Sequence, residues 1–172
     1  MSAQELTDLV ERIKAGEKAA FDALIEQTQS MAKRLAFSVV GPNLVEDALQ
    51  EAYLVVFQKI DQVREPAAFK SWFCRVVMHV CYALKKRQPA TEELQEVQAA
   101  GSESERVLAG VALRQGLARM PQRDRDILIL REMLGLSYDE IADTLKIAGG
   151  TVRSRLHKAR ARLAERMTGR GG

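Results

Sequence analysis

Glycine and proline are scarce in this chain, 11 and 4 of 172 residues, and alternating β-branched stretches are nearly absent. Strands are therefore not expected. No apolar run approaches the ~18–20 residues that cross a bilayer, which argues against a membrane-spanning helix. The first residues lack the charged, then apolar, then small-residue order of a secretory leader, so the expected compartment is the cytoplasm. Cysteine is limited to Cys74 and Cys81. Seven positions apart on one expected helix, their Cα atoms would lie about 10 Å apart, too far for a disulfide. Both are expected to be reduced and structural. The two histidines, His79 and His157, fall in separate segments, so no zinc site is expected. There is no Gly-rich phosphate loop and no placeable nucleophile–base pair. An enzyme is not expected, nor a cofactor.

What is present is 47% apolar and 28% charged, the balance of a soluble globular protein with room for one ordinary domain or two small ones. The most informative stretch is Ser137 to Met167. Ser137-Tyr138-Asp139-Glu140 reads as a capping box, in which the serine hydroxyl and the glutamate carboxylate satisfy each other's backbone N–H. A short helix follows, with Ile141, Ala142 and Leu145 on its apolar side. Ile147-Ala148-Gly149-Gly150 breaks the period, and its glycines are expected to supply the positive φ of a tight turn. A second helix starts near Thr151 and buries Val152, Leu156, Ala159 and Leu163. Two short helices across a glycine turn, the second basic, form the pattern of a helix-turn-helix that lays its second helix in the DNA major groove. From Thr151 to Gly172 there are seven Lys/Arg against one acid, Glu165, while the whole chain carries a net charge of only +3. A face that only had to stay soluble would mix signs, which favours DNA binding.

Upstream, apolar periodicity predicts helices over Gln4–Lys14 and Lys18–Val40, the second stopped by Gly41-Pro42-Asn43 with Asn43 as N-cap of the next. The third helix, Leu44 to Ile60, buries Val45, Ala48, Leu49, Ala52, Tyr53, Val56 and Ile60. Its other face shows Glu46, Asp47, Gln50 and Glu51 beside apolar Leu54 and Phe57. Acids in a first turn also suit the helix dipole, but exposed Leu54 and Phe57 next to them favour a protein-binding face. Asp61 to Ala68 is a loop, with Pro66 opening a fourth helix to about Arg87. Phe69, Trp72, Phe73, Val76, Val77, Val80 and Leu84 form its core stripe. Opposite lie Lys70, Arg75, Met78, His79, Tyr82, Lys85, Lys86 and Arg87. Cations interleaved with planar side chains suit an opened strand, phosphates meeting the one and unstacked bases the other. A cationic C-terminal end favoured by its dipole is the plainer alternative. Gln88 to Ser102 turns acidic and lacks Lys and Arg, as a linker would. Glu103 to Met120 resumes helix, Pro121 starts another through Met133, and Gly135-Leu136 stops it.

One helix-turn-helix reads only a few base pairs, and no coiled coil is present to pair it. A second nucleic-acid surface on a tethered domain would supply the missing affinity through effective concentration. At this point the chain resembles a known family. Glu46-Asp47-Ala48-Leu49-Gln50-Glu51 resembles region 2.2 of the sigma-70 family, and Phe69-Lys70-Ser71-Trp72-Phe73-Cys74-Arg75-Val76-Val77 resembles regions 2.3–2.4. Met120-Pro121-Gln122-Arg123-Asp124-Arg125, Tyr138-Asp139-Glu140-Ile141-Ala142 and Gly150-Thr151-Val152-Arg153-Ser154-Arg155-Leu156 resemble region 4. Two such domains and a short linker, covering nearly the whole chain, resemble the extracytoplasmic-function (group 4) sigma factors.

The resemblance implies an all-α chain of two small helical domains, region 2 over 1–87 and region 4 over 104–172, joined by a flexible linker over 88–103. It implies an initiation factor that binds core RNA polymerase, at its clamp helices and flap, and directs it to promoter DNA. Asp47, Gln50, Glu51 and Leu54 would dock on the polymerase. Val63, Arg64, Lys70, Trp72, Arg75, His79, Tyr82 and Lys86 would capture the melted −10 strand, with a flipped base near Val63 and Arg64. Thr151, Arg153, Ser154, Arg155, His157 and Lys158 would read the −35 duplex, Thr151 and Arg155 on phosphates. An anti-sigma factor is a further implied partner, and a stress response the implied setting. The chain departs from the family pattern at His79 (usually Asn), near Ala83 (an acid), at Ala148 (commonly a capping Ser) and at Val63 (where an aromatic can occur). A stand-alone helix-turn-helix regulator that never touches polymerase is the alternative, and the acidic helix with Leu54 and Phe57 argues against it.

Overall fold

The computed structural model describes residues 2–88 and 113–169, which contain helices and turns and no strand. The expected all-α class is what it shows. Most of the 88–103 linker lies outside the described residues. Among the described residues, no helix is long and apolar enough to cross a membrane.

The first module is built from four helices. α1 (Ala3–Lys14) starts at Ser2, whose hydroxyl accepts from the Glu5 N–H while the Glu5 carboxylate accepts from the Ser2 N–H. Leu6, Leu9 and Val10 turn inward from it. α2 (Ala19–Val40) buries a stripe through Leu24, Met31, Leu35 and Val39, and stops at Gly41. That glycine has φ of +79° and donates its N–H to the Phe37 carbonyl. α3 (Val45–Lys59) is capped by Leu44 without a side-chain hydrogen bond, so Asn43 is not the cap that the sequence suggested. A 3₁₀ turn over Ile60–Gln62 and a second at Pro66–Ala68 lead into α4 (Phe69–Arg87). Phe69 and Phe73 stack at 5.6 Å between centroids, and Tyr53 packs on Phe73 at 5.6 Å. The Tyr53 hydroxyl meets the Thr28 hydroxyl at 2.8 Å, which satisfies two polar atoms at the core's edge.

The second module holds α5 (described over 113–118), α6 (Gln122–Leu128), α7 (Tyr138–Leu145) and α8 (Gly149–Met167). Pro121 is the N-cap of α6, close to the expected start. The expected helix through Met133 changes character at Ile129, where a π-helical turn runs to Met133 and the Leu134 N–H bonds to the Ile129 carbonyl. Gly135, at φ +66°, then stops the segment, and Leu136 folds back fully buried. Ile127, Leu128, Ile129 and Leu130 are all buried. A run buried on every side means that this segment is enclosed rather than laid on a surface.

The two modules touch. α4 packs against α7, and α2 against the π turn. α4 therefore has three occupied or usable sides, which follow from the ~100° advance per residue. Phe69, Phe73, Val77, Val80 and Leu84 face their own core. Ser71, Cys74, Met78 and Cys81, all buried, lie on the side turned to the second module. Trp72, Arg75, Val76 and His79 lie on the third, toward α3. The expected single core stripe with Met78 outside it is thus corrected: the second module covers that side.

Candidate nucleic-acid interface

α7 and α8 form the helix-turn-helix. The Ser137–Glu140 capping box is present, with the Glu140 N–H donating to the Ser137 hydroxyl at 3.1 Å and the Ser137 N–H to the Glu140 carboxylate at 2.8 Å. The turn is not made as the sequence suggested. Its positive φ, +54°, belongs to Lys146, the residue just after α7, while Gly149 and Gly150 sit inside the first turn of α8 without one. The left-handed residue falls where α7 must end, one position after Leu145, and that position happens to hold a lysine. α8 accordingly begins at Gly149, earlier than expected, with Ala148 as a cap that makes no side-chain hydrogen bond.

Val152, Leu156 and Ala159 of α8 are buried and Leu163 packs partly against them. That inward stripe leaves Arg153, Ser154, His157 and Lys158 exposed together, at the i, i+1, i+4, i+5 spacing of one helix face. Thr151 and Arg155 flank it half-buried. Not every cation on α8 is free. Arg160 pairs with Glu132 at 2.6 Å, and Arg162 pairs with the buried Asp124, both within the module. The basic count taken from the sequence therefore includes two residues that hold α8 onto the π turn and α6.

The eight residues expected on the −10 strand separate into distinct places. Trp72, Arg75 and His79 line a groove of about 490 Å³ between α3 and α4, shared with Glu51, Lys59 and Arg87. Arg75 presents a buried Nε with no partner there. Lys86 and Arg64 are exposed. Val63 is buried at 5% exposure, because the 3₁₀ turn closes with its N–H on the Ile60 carbonyl and rotates the side chain inward. The expected pocket wall at Val63 is therefore core. Its carbonyl accepts instead from the Lys14 ammonium at 2.5 Å. Lys70 and Tyr82 face the second module. The Lys70 ammonium pairs with Glu140 at 3.1 Å, and the Ser71 hydroxyl donates to the Glu140 carbonyl at 3.3 Å.

Around Tyr82 lies a cluster that the sequence did not announce. Its hydroxyl donates to the Asp126 carboxylate and accepts from the Arg125 guanidinium at 3.2 Å, which also lies 5.4 Å from the ring centre. Burial, followed by the bond to Asp126, pushes the Tyr82 phenol well up. Burial also raises the Asp126 carboxyl, against the opposing pull of Tyr82 and Arg125. Lys85 is lowered by burial and by the charges of Arg125 and Arg114. Arg125 and Asp126 are only 8% and 6% exposed. Adjacent unlike charges at an interior helix start were the available signal, since such residues are rarely buried unless paired.

On α3, Asp47 and Gln50 are exposed, and Glu51 pairs with Arg87 at 3.1 Å. Leu54 and Phe57 remain 56% and 61% exposed, with Phe57 edge-on to Phe21 at 5.3 Å. Both cysteines are free and buried, and burial pushes each thiol up to about 12.

Comparison with known proteins gives a consistent picture. The family model "Sigma-70 region 2" matches residues 24–90, and "Sigma-70, region 4" matches residues 110–163. The chain is 31% identical to an ECF RNA polymerase sigma-E factor of Escherichia coli K12, covering 91% of this chain and 92% of that one. It is 29% identical to the same-named factor of Haemophilus influenzae, covering 92% and 94%. Among solved structures it resembles CnrH in complex with the cytosolic domain of CnrY, with a TM-score of 0.75, 21% identity and 95% and 96% coverage. It also resembles the sigma factor RpoE of Bartonella quintana, solved with the anti-sigma factor NepR, with a TM-score of 0.65, 20% identity and 86% and 96% coverage.

Proposed function

The chain belongs to the ECF RNA polymerase sigma factors of the sigma-70 family, and from that membership we propose how its two modules divide promoter recognition between them. The second module reads the −35 element as duplex, with Arg153, Ser154, His157 and Lys158 at base edges and Thr151 and Arg155 on phosphates. The observation that carries this is the exposed four-residue face on α8, set directly opposite its buried stripe.

The first module takes the −10 element as opened strand. The groove between α3 and α4 offers what such a strand requires: an indole and an imidazole for bases, and Arg75, Lys59 and Arg87 for phosphates. Arg75 Nε gains there the acceptor it lacks. Asp47, Gln50, Glu51 and exposed Leu54 on α3 dock on the polymerase, an apolar centre with an acidic rim. The polymerase does the chemistry, and the chain acts where polymerase does, in the cytoplasm. An anti-sigma factor is a further partner, in keeping with the complex in which the Bartonella neighbour was solved.

The test is reconstitution. Added to purified core polymerase, the chain should produce transcripts from defined start sites on genomic DNA that core enzyme alone does not produce. Transcripts identical with and without it would overturn the reading, as would failure to associate with core polymerase.

A further inference from the structure

We propose that Lys14, the last residue of α1, is a positioning residue for capture of the opened strand: its ammonium pins the Val63 carbonyl and so fixes segment 60–68 at the end of the groove between α3 and α4. The inference rests on the strand reading above. It adds to that reading a residue from a helix that contributes nothing to the lining of the groove.

The placement of the cation supplies the first argument. A lysine in the last turn of a helix ordinarily sits by that helix's own free carbonyls, where the dipole favours it. Lys14 instead reaches the Val63 carbonyl at 2.5 Å, across 49 positions of chain. Arg12, in the same turn, is committed to Glu17 at 2.5 Å. Lys14 has no carboxylate partner among the described residues. Its bond to Val63 is charge-assisted and partly buried, and therefore stronger than a bond between neutral groups.

What the bond fixes supplies the second. α1 packs against both 3₁₀ turns, Ile60–Gln62 and Pro66–Ala68. Between them Val63 and Glu65 are extended, with Arg64 in the middle. Val63 is held by its buried side chain, by its N–H on the Ile60 carbonyl at 3.1 Å and by Lys14. The Glu65 carbonyl accepts from the Ala68 N–H at 2.9 Å. The Arg64 N–H and carbonyl and the Glu65 N–H make no hydrogen bond among the described residues, and both residues are exposed. Gln62, one position before Val63, lines the groove beside Lys59. A short edge of free peptide groups thus stands next to the groove's indole and imidazole. Stacking on rings tolerates any base, whereas hydrogen bonds to a base edge discriminate. Such an edge discriminates best when it is already ordered, because little conformational entropy is then lost on binding. Lys14 provides that order from outside the groove.

The experiment uses holoenzyme reconstituted with the native chain, with Lys14→Met and with Lys14→Arg. The probe is a fluorescein-labelled fork from a mapped start site, duplex across the −35 element and single-stranded across the −10 element. Methionine keeps a long stem without a donor, and arginine restores both donor and charge. Lys14→Met should bind the fork roughly tenfold more weakly, the scale of one hydrogen bond to a charged group. It should also lose preference at a −10 position when each base is replaced in turn. Lys14→Arg should stay within about threefold of the native chain and keep that preference. A duplex holding only the −35 element should bind all three alike, at unchanged thermal midpoints. Salt separates holding the loop from touching DNA. The slope of log affinity against log salt should be the same for Lys14→Met, whereas loss of a phosphate contact on a single strand would reduce it by about 0.7. In the free chain, amide exchange in the peptide covering 60–68 should be at least about fivefold faster in Lys14→Met and native-like in Lys14→Arg. Native affinity and preference in Lys14→Met, a reduced slope, an equal weakening on the −35 duplex or unchanged exchange would each refute the role of Lys14 and leave the strand reading standing. A native holoenzyme indifferent to every −10 base would instead remove the strand reading, and this proposal with it.

Discussion

At the scale of single residues, α8 separates cations that are free from cations that are committed. Lys158 is exposed on α8, on the face proposed to read DNA. Lys158→Ala should weaken binding to the −35 element by about 1–3 kcal/mol and relax base preference at one position, as measured by fluorescence anisotropy on duplexes varied base by base. Unaltered affinity and preference would remove it from the reading set. Arg160, tied to Glu132, should behave differently. Arg160→Ala should leave the salt dependence of promoter binding nearly unchanged, whereas each phosphate-contacting cation removed reduces the slope by about 1. Ala148 marks a third kind of residue. Its φ of −66° and ψ of 145° are those of an N-cap, but it has no side-chain oxygen for the orphan N–H groups of α8. Ala148→Ser should stabilise the chain by about 1 kcal/mol, seen as a higher midpoint in thermal unfolding.

At the scale of elements, the informative comparison is between α3 and α4. α3 has one buried side, and its alternation of apolar and acidic positions could be read directly: Val45, Ala48, Leu49, Ala52 and Val56 are buried, and Leu54 and Phe57 are not. Asp47→Lys should weaken association with core polymerase while leaving the promoter sequences selected by residual holoenzyme unchanged, as seen in a pull-down titration paired with start-site mapping. α4 is buried on two sides, so a one-stripe reading placed Met78 outside and gave Cys74 and Cys81 no surroundings. The end of α2 shows a similar effect. A stop at Gly41 was legible because glycine suits the left-handed end of a helix. What was not legible is that Arg114, 73 positions later, occupies the space a side chain would need. Gly41→Ala should therefore cost more than the roughly 1 kcal/mol of positive-φ strain alone, and urea titration should show the excess.

At the scale of the whole molecule, α3 presents its exposed side next to the groove it shares with α4, Glu51 belonging to both, and α4 packs on its other flank against the second module. Electrostatic steering by α8 should make association with promoter DNA fall steeply with salt, as log affinity against log salt concentration. Folding takes Asp126 out of water beside Tyr82, and burial raises its carboxyl above the ordinary 3.8. A carboxyl with a higher pKa in the folded chain takes up a proton on folding, so through Asp126 a fall in pH favours the folded state within the window between the two values. The Asp126→Ala chain should therefore lose part of the native chain's gain in stability on mild acidification, as read from urea midpoints measured between neutral pH and pH 4.

Sequence alone determined the all-α class, the capping box at Ser137, the inward stripe of α8 and the outward side of α3, because each is a matter of spacing within one helix. Periodicity carries that information locally, and the motifs at Glu46–Glu51 and Gly150–Leu156 carried the resemblance. Only the tertiary structure decided that Lys146 rather than a glycine makes the turn, that Val63 faces the core and that Arg160 and Arg162 are committed within their module. It alone brought Tyr82 to Arg125 and Asp126. Those outcomes depend on which segments meet across tens of residues, and a side chain's partner across that distance leaves no period in the chain that contains it.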